Sequence, residues 1–289
     1  MSFLHIPEAT VALAVLEGGV VALPRPWTLG RLRAVRSPAW AAVLPGAIII
    51  GTFGVLASPD MASDLLRLAT VTTPLLAAIA LMAIVPGRWS ILALPPLWLL
   101  AVAAHPGTLA SQASATVVTA LACLTTGAAI ARLVPRRWLA VGALLMCLVD
   151  VVMLAAGVGQ PAAILMDRAM HAHHAVFAEA RLGTVTVDYP DLVLAAVIGG
   201  ILSEEVGTQR RAALMVAVLS GGCGLLLFPS GPLPATVPIA GAFLLLRLQG
   251  RWRRRRAASA PPAPANGPPV TVRVAGQWPT RVVPRGVSR

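Results

Sequence analysis

The sequence contains no lysine at all, and only 12% of its 289 residues are charged. So few charged groups exclude a soluble globule of this size, because its surface would lack the polar side chains that keep it in water. Hydrophobic residues make up 57% of the chain instead. The composition therefore predicts an integral membrane protein that is embedded in a lipid bilayer.

Cysteine is also scarce, and Cys123, Cys147 and Cys223 all fall in apolar runs. An odd number of cysteines in such surroundings indicates no disulfide framework, so we interpret all three as small core residues. Histidines cluster at residues 171–174, where a metal site is conceivable, but no apolar run supplies matching ligands. We therefore expect neither a metal nor a cofactor.

All 23 basic residues are arginines, and the formal net charge is +12. Nine of these arginines lie in the last 39 residues, which contain no acid. In membrane proteins, basic residues in loops and tails set the orientation of the chain. The positive charge is therefore explained without a nucleic acid, and we expect no nucleic-acid partner.

Eight apolar runs are long enough, or nearly so, to cross a membrane, whose hydrocarbon layer is about 30 Å thick. They cover residues 38–57, 68–86, 89–104, 108–131, 138–158, 184–203, 212–229 and 231–248. A weaker run at residues 8–23 contains Glu8 and Glu17, which would be costly at mid-membrane unless they face the protein interior. The predicted fold class is an all-α, polytopic transmembrane bundle of eight or nine helices.

The arginines divide the loops into two alternating sets, which predicts the orientation of the chain. The arginine-poor loops hold only Arg67, Arg168 and Arg181, beside several acids. The other loops hold Arg25, Arg31, Arg33, Arg36, Arg88, Arg132, Arg136, Arg137, Arg210, Arg211, Arg247, Arg251 and Arg253 to Arg256. Basic loops face the cytoplasm, so we expect a multi-pass protein of the cell membrane with residues 159–183 outside.

The last part of the chain has a composition of its own. Residues 250–289 are rich in proline, alanine, glycine and arginine and have no apolar period. Such a segment cannot pack a core, so we expect a disordered cytoplasmic tail. The predicted domains are a transmembrane helical domain at residues 1–249 and this tail.

Two aspartates lie away from the ends of the apolar runs, where an unpaired charge is costly. Asp150 is the thirteenth residue of the run that starts at Trp138, and Asp191 is the eighth residue of the run that starts at Thr184. These two runs cross in opposite directions, and a helix rises about 1.5 Å per residue, which places Asp150 roughly 10 to 15 Å and Asp191 roughly 10 Å below the outer surface. Two carboxyls in contact share a proton and can activate a water for attack on a peptide carbonyl.

Each aspartate also has a simpler explanation. Residues 188–191 have features of a helix start, with a proline in the first turn and acids that the helix dipole favours. Asp150 alone is compatible with a bond to a neighbouring hydroxyl or with an ion path. The matched depth of Asp150 and Asp191 favours the pair over these separate explanations.

Three short motifs follow one another in the second half of the chain. Asp150 lies within one run, Asp191 opens the next, and the last run is opened by Pro234, Ala235 and Thr236. This order resembles the presenilin and signal peptide peptidase family of intramembrane aspartyl proteases. The motifs of that family are Tyr-Asp, Gly-x-Gly-Asp and Pro-Ala-Leu, on the sixth, seventh and ninth helices. Counting the weak first run as a helix gives the same numbering here.

By this resemblance, Asp150 and Asp191 would be a catalytic dyad that cleaves a single-span membrane protein or a signal peptide. Pro234, Ala235 and Thr236 would shape the site from the last helix. Residues 183–187 alternate small or polar with β-branched side chains, which is a strand pattern. Val185 and Val187 would then bind an unwound substrate by strand addition, and a plain linker is the alternative.

Two other functions stay open. An ion-coupled small transporter would use both aspartates to bind a proton or a cation. A non-catalytic membrane scaffold related to the family is the other, because Val149 replaces the family's Tyr, and Asp188 and Pro190 replace its two Gly.

Overall fold

The computed structural model describes residues 6–24, 35–85, 92–103, 108–173, 177, 179–227 and 235–259. These residues are mostly helical, as the all-α fold class predicts. The helices are α1 (Ile6–Ala22), α2 (Val43–Ala57), α3 (Pro59–Ile84), α4 (Leu94–Ala103), α5 (Leu109–Leu133), α6 (Arg136–Ala155), α7 (Gly159–His173), α8 (Tyr189–Leu202), α9 (Val206–Leu227) and α10 (Thr236–Ser259). A short 3-10 helix at Pro38–Ala42 precedes α2, and strands β1 (Glu179–Leu182) and β2 (Val185–Asp188) form an antiparallel hairpin.

Among the described residues, 4 helical segments are long and apolar enough to cross a membrane by length and composition. They are Pro38–Ala57, Asp60–Ile84, Leu109–Leu133 and Arg136–Ala155. Two shorter apolar helical segments, Tyr189–Leu202 and Thr236–Gly250, add to them. These helices support a membrane location for the chain.

Helix α5 lies at the centre of the first of the two compact units into which the chain divides, Met1–Arg247 and Leu248–Arg289. Its most apolar stretch is 72% buried, against 17% for the segment that contains α2. Helices α3, α4 and α8 all pack against it. Most of α8 is buried as well, so α5 and α8 form the core on which the outer helices rest.

Small residues let the central helices approach closely. A Cβ on Gly127 of α5 would lie 2.4 Å from the Cβ of Ala196 in α8, closer than any real contact. A Cβ on Gly199 of α8 would likewise lie 2.4 Å from the carbonyl oxygen of Val21 in α1. Glycine at these two positions is what permits backbone-to-backbone packing, as is common between helices in membranes.

The weak apolar run at residues 8–23 does form a helix, α1. It packs along α9 and against α8. Gln209 of α9 stabilises the C-terminal end of α1. Its side-chain amide donates hydrogen bonds to the carbonyl oxygens of Val21, Pro24 and Gly199 at 3.0, 2.9 and 3.4 Å. Helix α1 is thus an integral part of the bundle.

The structure corrects two boundaries drawn from the sequence. The run predicted at residues 184–203 begins with a strand, so Asp191 is the third residue of α8 and not the eighth of a span. Helix α10 continues to Ser259, so residues 250–259 of the predicted tail are helical. Residues 260–289 and Pro234 lie outside the described residues.

Candidate functional site

Helices α6 and α8 run antiparallel and bring Asp150 and Asp191 to one level. Arg136 at the start of α6 forms an ion pair with Glu204, just past the end of α8. From this pair, Asp150 lies fourteen positions further along α6, and Asp191 lies thirteen positions back toward the start of α8. Because both helices rise by about 1.5 Å per residue, the two aspartates lie at about the same level at the opposite end.

Three aspartates, not two, lie together at that end. The charges of Asp188 and Asp150 both act on Asp191, with Asp188 the stronger of the two, and Asp150 also acts on Asp188. Sequence reasoning assigned Asp188 only to the start of the helix. Its position three residues before Asp191, at the entry to the same helix, was the available signal.

Thr236 at the start of α10 holds the Asp150 carboxylate. Its hydroxyl donates a hydrogen bond of 2.7 Å to Asp150 Oδ2. The Thr236 side chain is fully buried, whereas Asp150 is half-buried, so the bond is shielded on one side. Ala235 is the turn residue immediately before Thr236, and it is partly buried.

Asp191 is bound into the start of its own helix. The backbone N–H of Asp188 donates to the Asp191 carboxyl, which is one half of the reciprocal capping arrangement at helix starts. Asp191 is only 8% exposed. Asp191 therefore has the position expected of an acid at a helix start, and it also lies within the electrostatic field of Asp150.

Cys147 is a fourth member of the site that sequence reasoning treated as a core residue. It lies one turn before Asp150 on α6, which places both on one helix face. Its thiol lies beside the Thr236 hydroxyl and within the field of both Asp150 and Asp191. The three-residue spacing from Asp150 was the sequence signal for it.

Asp188 is the solvent-exposed member of the cluster, whereas Asp150 is half-buried and Asp191 is buried. Water can therefore reach the cluster at Asp188.

The hairpin is docked on α5 along the outer edge of β1. Thr116 of α5 accepts a hydrogen bond from the backbone N–H of Arg181 and donates one to its carbonyl oxygen, both at 3.0 Å. Gln112 accepts from the backbone N–H of Gly183 at 2.7 Å. Side chains of α5 thus take the place of a third strand at this edge.

The opposite edge of the hairpin, along β2, is open. Arg181 directs its backbone groups to α5, so its partner across the hairpin, Thr186, directs its own groups away from β1. No backbone partner for Thr186 occurs within the described segments. Of the strand pattern predicted at residues 183–187, residues 185–187 lie in β2, whereas Gly183 and Thr184 form the turn. Strand β2 ends at Asp188, three residues before Asp191.

Val185 and Val187, which were expected to bind a substrate by strand addition, pair with β1 in the structure. They lie opposite Leu182 and Ala180, in the positions that bond to β1. Val187 is 7% exposed and belongs to the hydrophobic core, against which Val185 also packs. The residue between them, Thr186, has its backbone N–H and C=O directed outward, where an added strand would bond.

Glu179 at the start of β1 extends the acidic region outward. Burial raises the pKa of its carboxyl, the charge of Asp188 raises it further, and Arg181 at 3.8 Å lowers it. The field of the cluster therefore reaches the first residue of the hairpin. Within the described part of the chain, no group of three or more His, Cys, Asp or Glu side chains is placed to hold a metal ion.

Comparisons with known proteins add no identity to this geometry. No family model matches the chain, and neither a curated protein nor a solved structure matches it.

Proposed function

We propose that the chain is an intramembrane aspartyl peptidase in which Asp150 and Asp191 form the catalytic dyad. The observation that carries the proposal is that these two carboxylates lie within each other's electrostatic field at the same end of α6 and α8, with Thr236 bound to Asp150. The order of Asp150 on α6, Asp191 on α8 and Thr236 at the start of α10 supports membership of the presenilin and signal peptide peptidase family.

The chemistry follows from the different surroundings of the two carboxyls. Asp150 is half-buried and accepts a hydrogen bond from Thr236, so we assign it the role of the base. Asp191 is buried within the field of the other two aspartates, so we assign it the role of the acid. Two such environments separate the roles of a carboxyl pair.

In the reaction, Asp150 takes a proton from a water molecule, whose oxygen bonds to the peptide carbonyl carbon. Asp191 gives its proton to the carbonyl oxygen, and a tetrahedral diol forms. The diol collapses as the carbon–nitrogen bond breaks, and the proton held by Asp150 passes to the departing amine. Asp191 recovers its proton from the diol, so both carboxyls return to their starting state.

The substrate is a single-span membrane protein or a signal peptide that adds a strand to β2. The open backbone groups of Thr186 would pair with it. The strand ends at Asp188, so a segment paired there extends directly toward the aspartates. Strand addition also unwinds the substrate, which exposes a peptide bond that a helix would bury.

The membrane arrangement belongs to the same proposal. Helices α1 to α6 and α8 to α10 are nine spans, with α7 and the hairpin on the outer side. The chain is a multi-pass protein of the cell membrane, with its C-terminal tail in the cytoplasm. The arginine alternation of the loops supports this orientation.

The test is cleavage of a single-span substrate by the purified full chain in liposomes. Asp150→Asn and Asp191→Asn should each abolish cleavage as completely as the double variant, because neither carboxyl alone supplies both base and acid. Circular dichroism and gel filtration of each variant would check that it is folded. Cleavage retained by Asp150→Asn would overturn the peptidase mechanism.

Asp188→Asn is the matched comparison, because it neutralises the third aspartate of the cluster. We expect cleavage to fall by about tenfold or less, since Asp188 contributes charge and access but neither proton transfer. If Asp188→Asn abolished cleavage while Asp191→Asn still cleaved, the second catalytic residue would be Asp188 and not Asp191.

An ion-coupled carrier is the second candidate, and the acidic cluster without a described arginine on it favours this candidate. Absence of cleavage by the unaltered protein across a broad panel, together with proton or cation uptake by liposomes that contain it, would establish the carrier. A scaffold would show neither activity.

A further inference from the structure

Glu17 is a buried acid that the peptidase mechanism does not use. It lies in α1, two-thirds of the way along the helix, and is 2% exposed. Its Oε2 atom and the Oγ of Ser220 in α9 are both buried without a hydrogen-bond partner of good geometry in the described residues. The two side chains nevertheless face each other across the interface.

The interface around them is tight and leaves little space for a large ligand. A Cβ on Gly18 would lie 2.7 Å from the carbonyl oxygen of Ala213, and one on Gly224 would lie 2.6 Å from Thr10. Helices α1 and α9 are thus in close contact on both sides of Glu17. Only a small ligand can join the carboxyl to the hydroxyl without separating the helices.

The charge of Glu17 has no opposite partner among the described residues. Elements packed against α1 are α5, α8, α9 and the hairpin. Their ionisable groups, with Glu8 of α1 itself, are Cys123, Arg132, Glu179, Arg181, Asp188, Tyr189, Asp191, Arg210, Arg211 and Cys223. Of these, Asp191 is in electrostatic contact with Glu17, and that contact is repulsive. The described ion pairs do not include Glu17.

An ionised carboxylate in this place would be a buried negative charge without an opposite partner among the described residues, which is strongly unfavourable. Protonation removes the charge and supplies a donor. The Glu17 hydroxyl would then donate to Ser220 Oγ, so one proton satisfies both buried atoms. A metal ion would need further ligands, which the described residues do not assemble.

We propose that Glu17 and Ser220 form a proton-binding site between α1 and α9. The site carries one proton, bound to the Glu17 carboxyl and shared with the Ser220 hydroxyl. The charge of an ionised Glu17 would act on Asp191, so the protonation of this site affects the aspartate cluster. The proposal does not rest on the peptidase function, because a buried neutral acid is required by the packing of α1 whatever reaction the cluster performs.

The experiment is infrared spectroscopy of the full chain in lipid nanodiscs, which detects the carbonyl stretch of a protonated carboxylic acid. The background carries Asp150→Asn and Asp191→Asn, so that the signals of these two acids are removed. At pH near 6, exposed carboxyls are ionised, because their ordinary pKa values are near 4. The background protein should still show a carboxylic-acid band.

Glu17→Gln should remove this band, whereas the matched change Glu8→Gln in the exposed first turn of the same helix should leave it in place. Ser220→Ala should shift the band to higher frequency, because the acid loses its hydrogen-bond acceptor. This third variant also decides the question if Glu17→Gln does not fold. Neither readout needs cleavage, so failure of the peptidase proposal would leave this test intact.

Two results would overturn the proposal. A band that is unchanged in both Glu17→Gln and Ser220→Ala would assign the proton to another group. Loss of the band on addition of sodium at constant pH would show that the site takes a metal cation and not a proton.

Discussion

Asp150 is the residue whose surroundings decide the chemistry proposed here. Its carboxylate has one hydrogen-bond donor in Thr236, and this donor comes from a helix 86 positions away in the chain. A hydroxyl that donates to a carboxylate forms a short, directional hydrogen bond that fixes the position of the carboxylate. Thr236, which was expected to shape the site from the last helix, therefore also positions Asp150.

Replacing Thr236 by Val should lower the rate of cleavage about tenfold or more, because a hydrogen bond to a charged group contributes roughly 1.5 to 3 kcal/mol. Thr236→Ser keeps the hydroxyl and is expected to restore the rate. An equal loss in the Val and Ser variants would mean that Thr236 only packs.

At the scale of the secondary structure elements, the two edges of the hairpin differ. Its β1 edge is closed by Thr116, and its β2 edge is open at Thr186. One edge therefore anchors the hairpin to the core helix α5, while under the proposed function the other edge would pair with a substrate. This division follows from the alternation of backbone directions in a two-stranded sheet.

Thr186→Pro tests the open edge. Proline removes one outward backbone N–H without removing a bond to β1, and it is tolerated in edge strands. Cleavage should fall about tenfold, which is the effect of losing a hydrogen bond of roughly 1 to 1.5 kcal/mol. The control Thr186→Val keeps the backbone donor and should cleave like the unaltered protein. Equal activity of the Pro and unaltered proteins would exclude pairing at this edge.

The contact of α5 with α8 is the second feature at this scale. Gly127→Ala should destabilise the fold by about 1 to 3 kcal/mol, because its Cβ meets Ala196 in a place that is already filled. Thermal unfolding in detergent measures the effect. Gly222→Ala in α9, whose Cβ would meet nothing within 4 Å, is the matched control and should be neutral or slightly stabilising. Similar stability of both variants would mean that α5 and α8 can separate freely.

At the scale of the whole molecule, orientation decides from which side a substrate reaches the aspartates. The proposed topology puts α7 and the hairpin outside, next to the open end of the cluster, and the chain's C-terminal residues inside. Signal peptides and the outer ends of single-span proteins would therefore meet the site first.

Single cysteines introduced at Ala172 and Gly267, in a chain whose three natural cysteines are replaced, measure this orientation. In intact cells, an impermeant thiol reagent should label the cysteine at 172 and not the one at 267. Permeabilised cells should give label at both. The reverse pattern in intact cells would invert the topology and place the open end of the cluster in the cytoplasm.

The sequence alone determined the class of molecule and the position of most helices. Apolar run length and low charge are local properties, so α2, α5, α6 and the weaker α1 were all predictable from the chain. The strand pattern at residues 183–187 was local as well. Asp150 and Asp191 were found because a charge in an apolar run is costly wherever the helix packs.

Only the tertiary structure decided which groups meet. Thr236 reaches Asp150, Thr116 closes β1, and Glu17 faces Ser220 through contacts between helices distant in sequence, which no local pattern encodes. The exact start of α8 was also undecided, because an apolar run does not distinguish a strand from the helix that follows it. Packing resolved that ambiguity, since the backbone of β2 bonds to β1 and leaves the helix to begin at Tyr189.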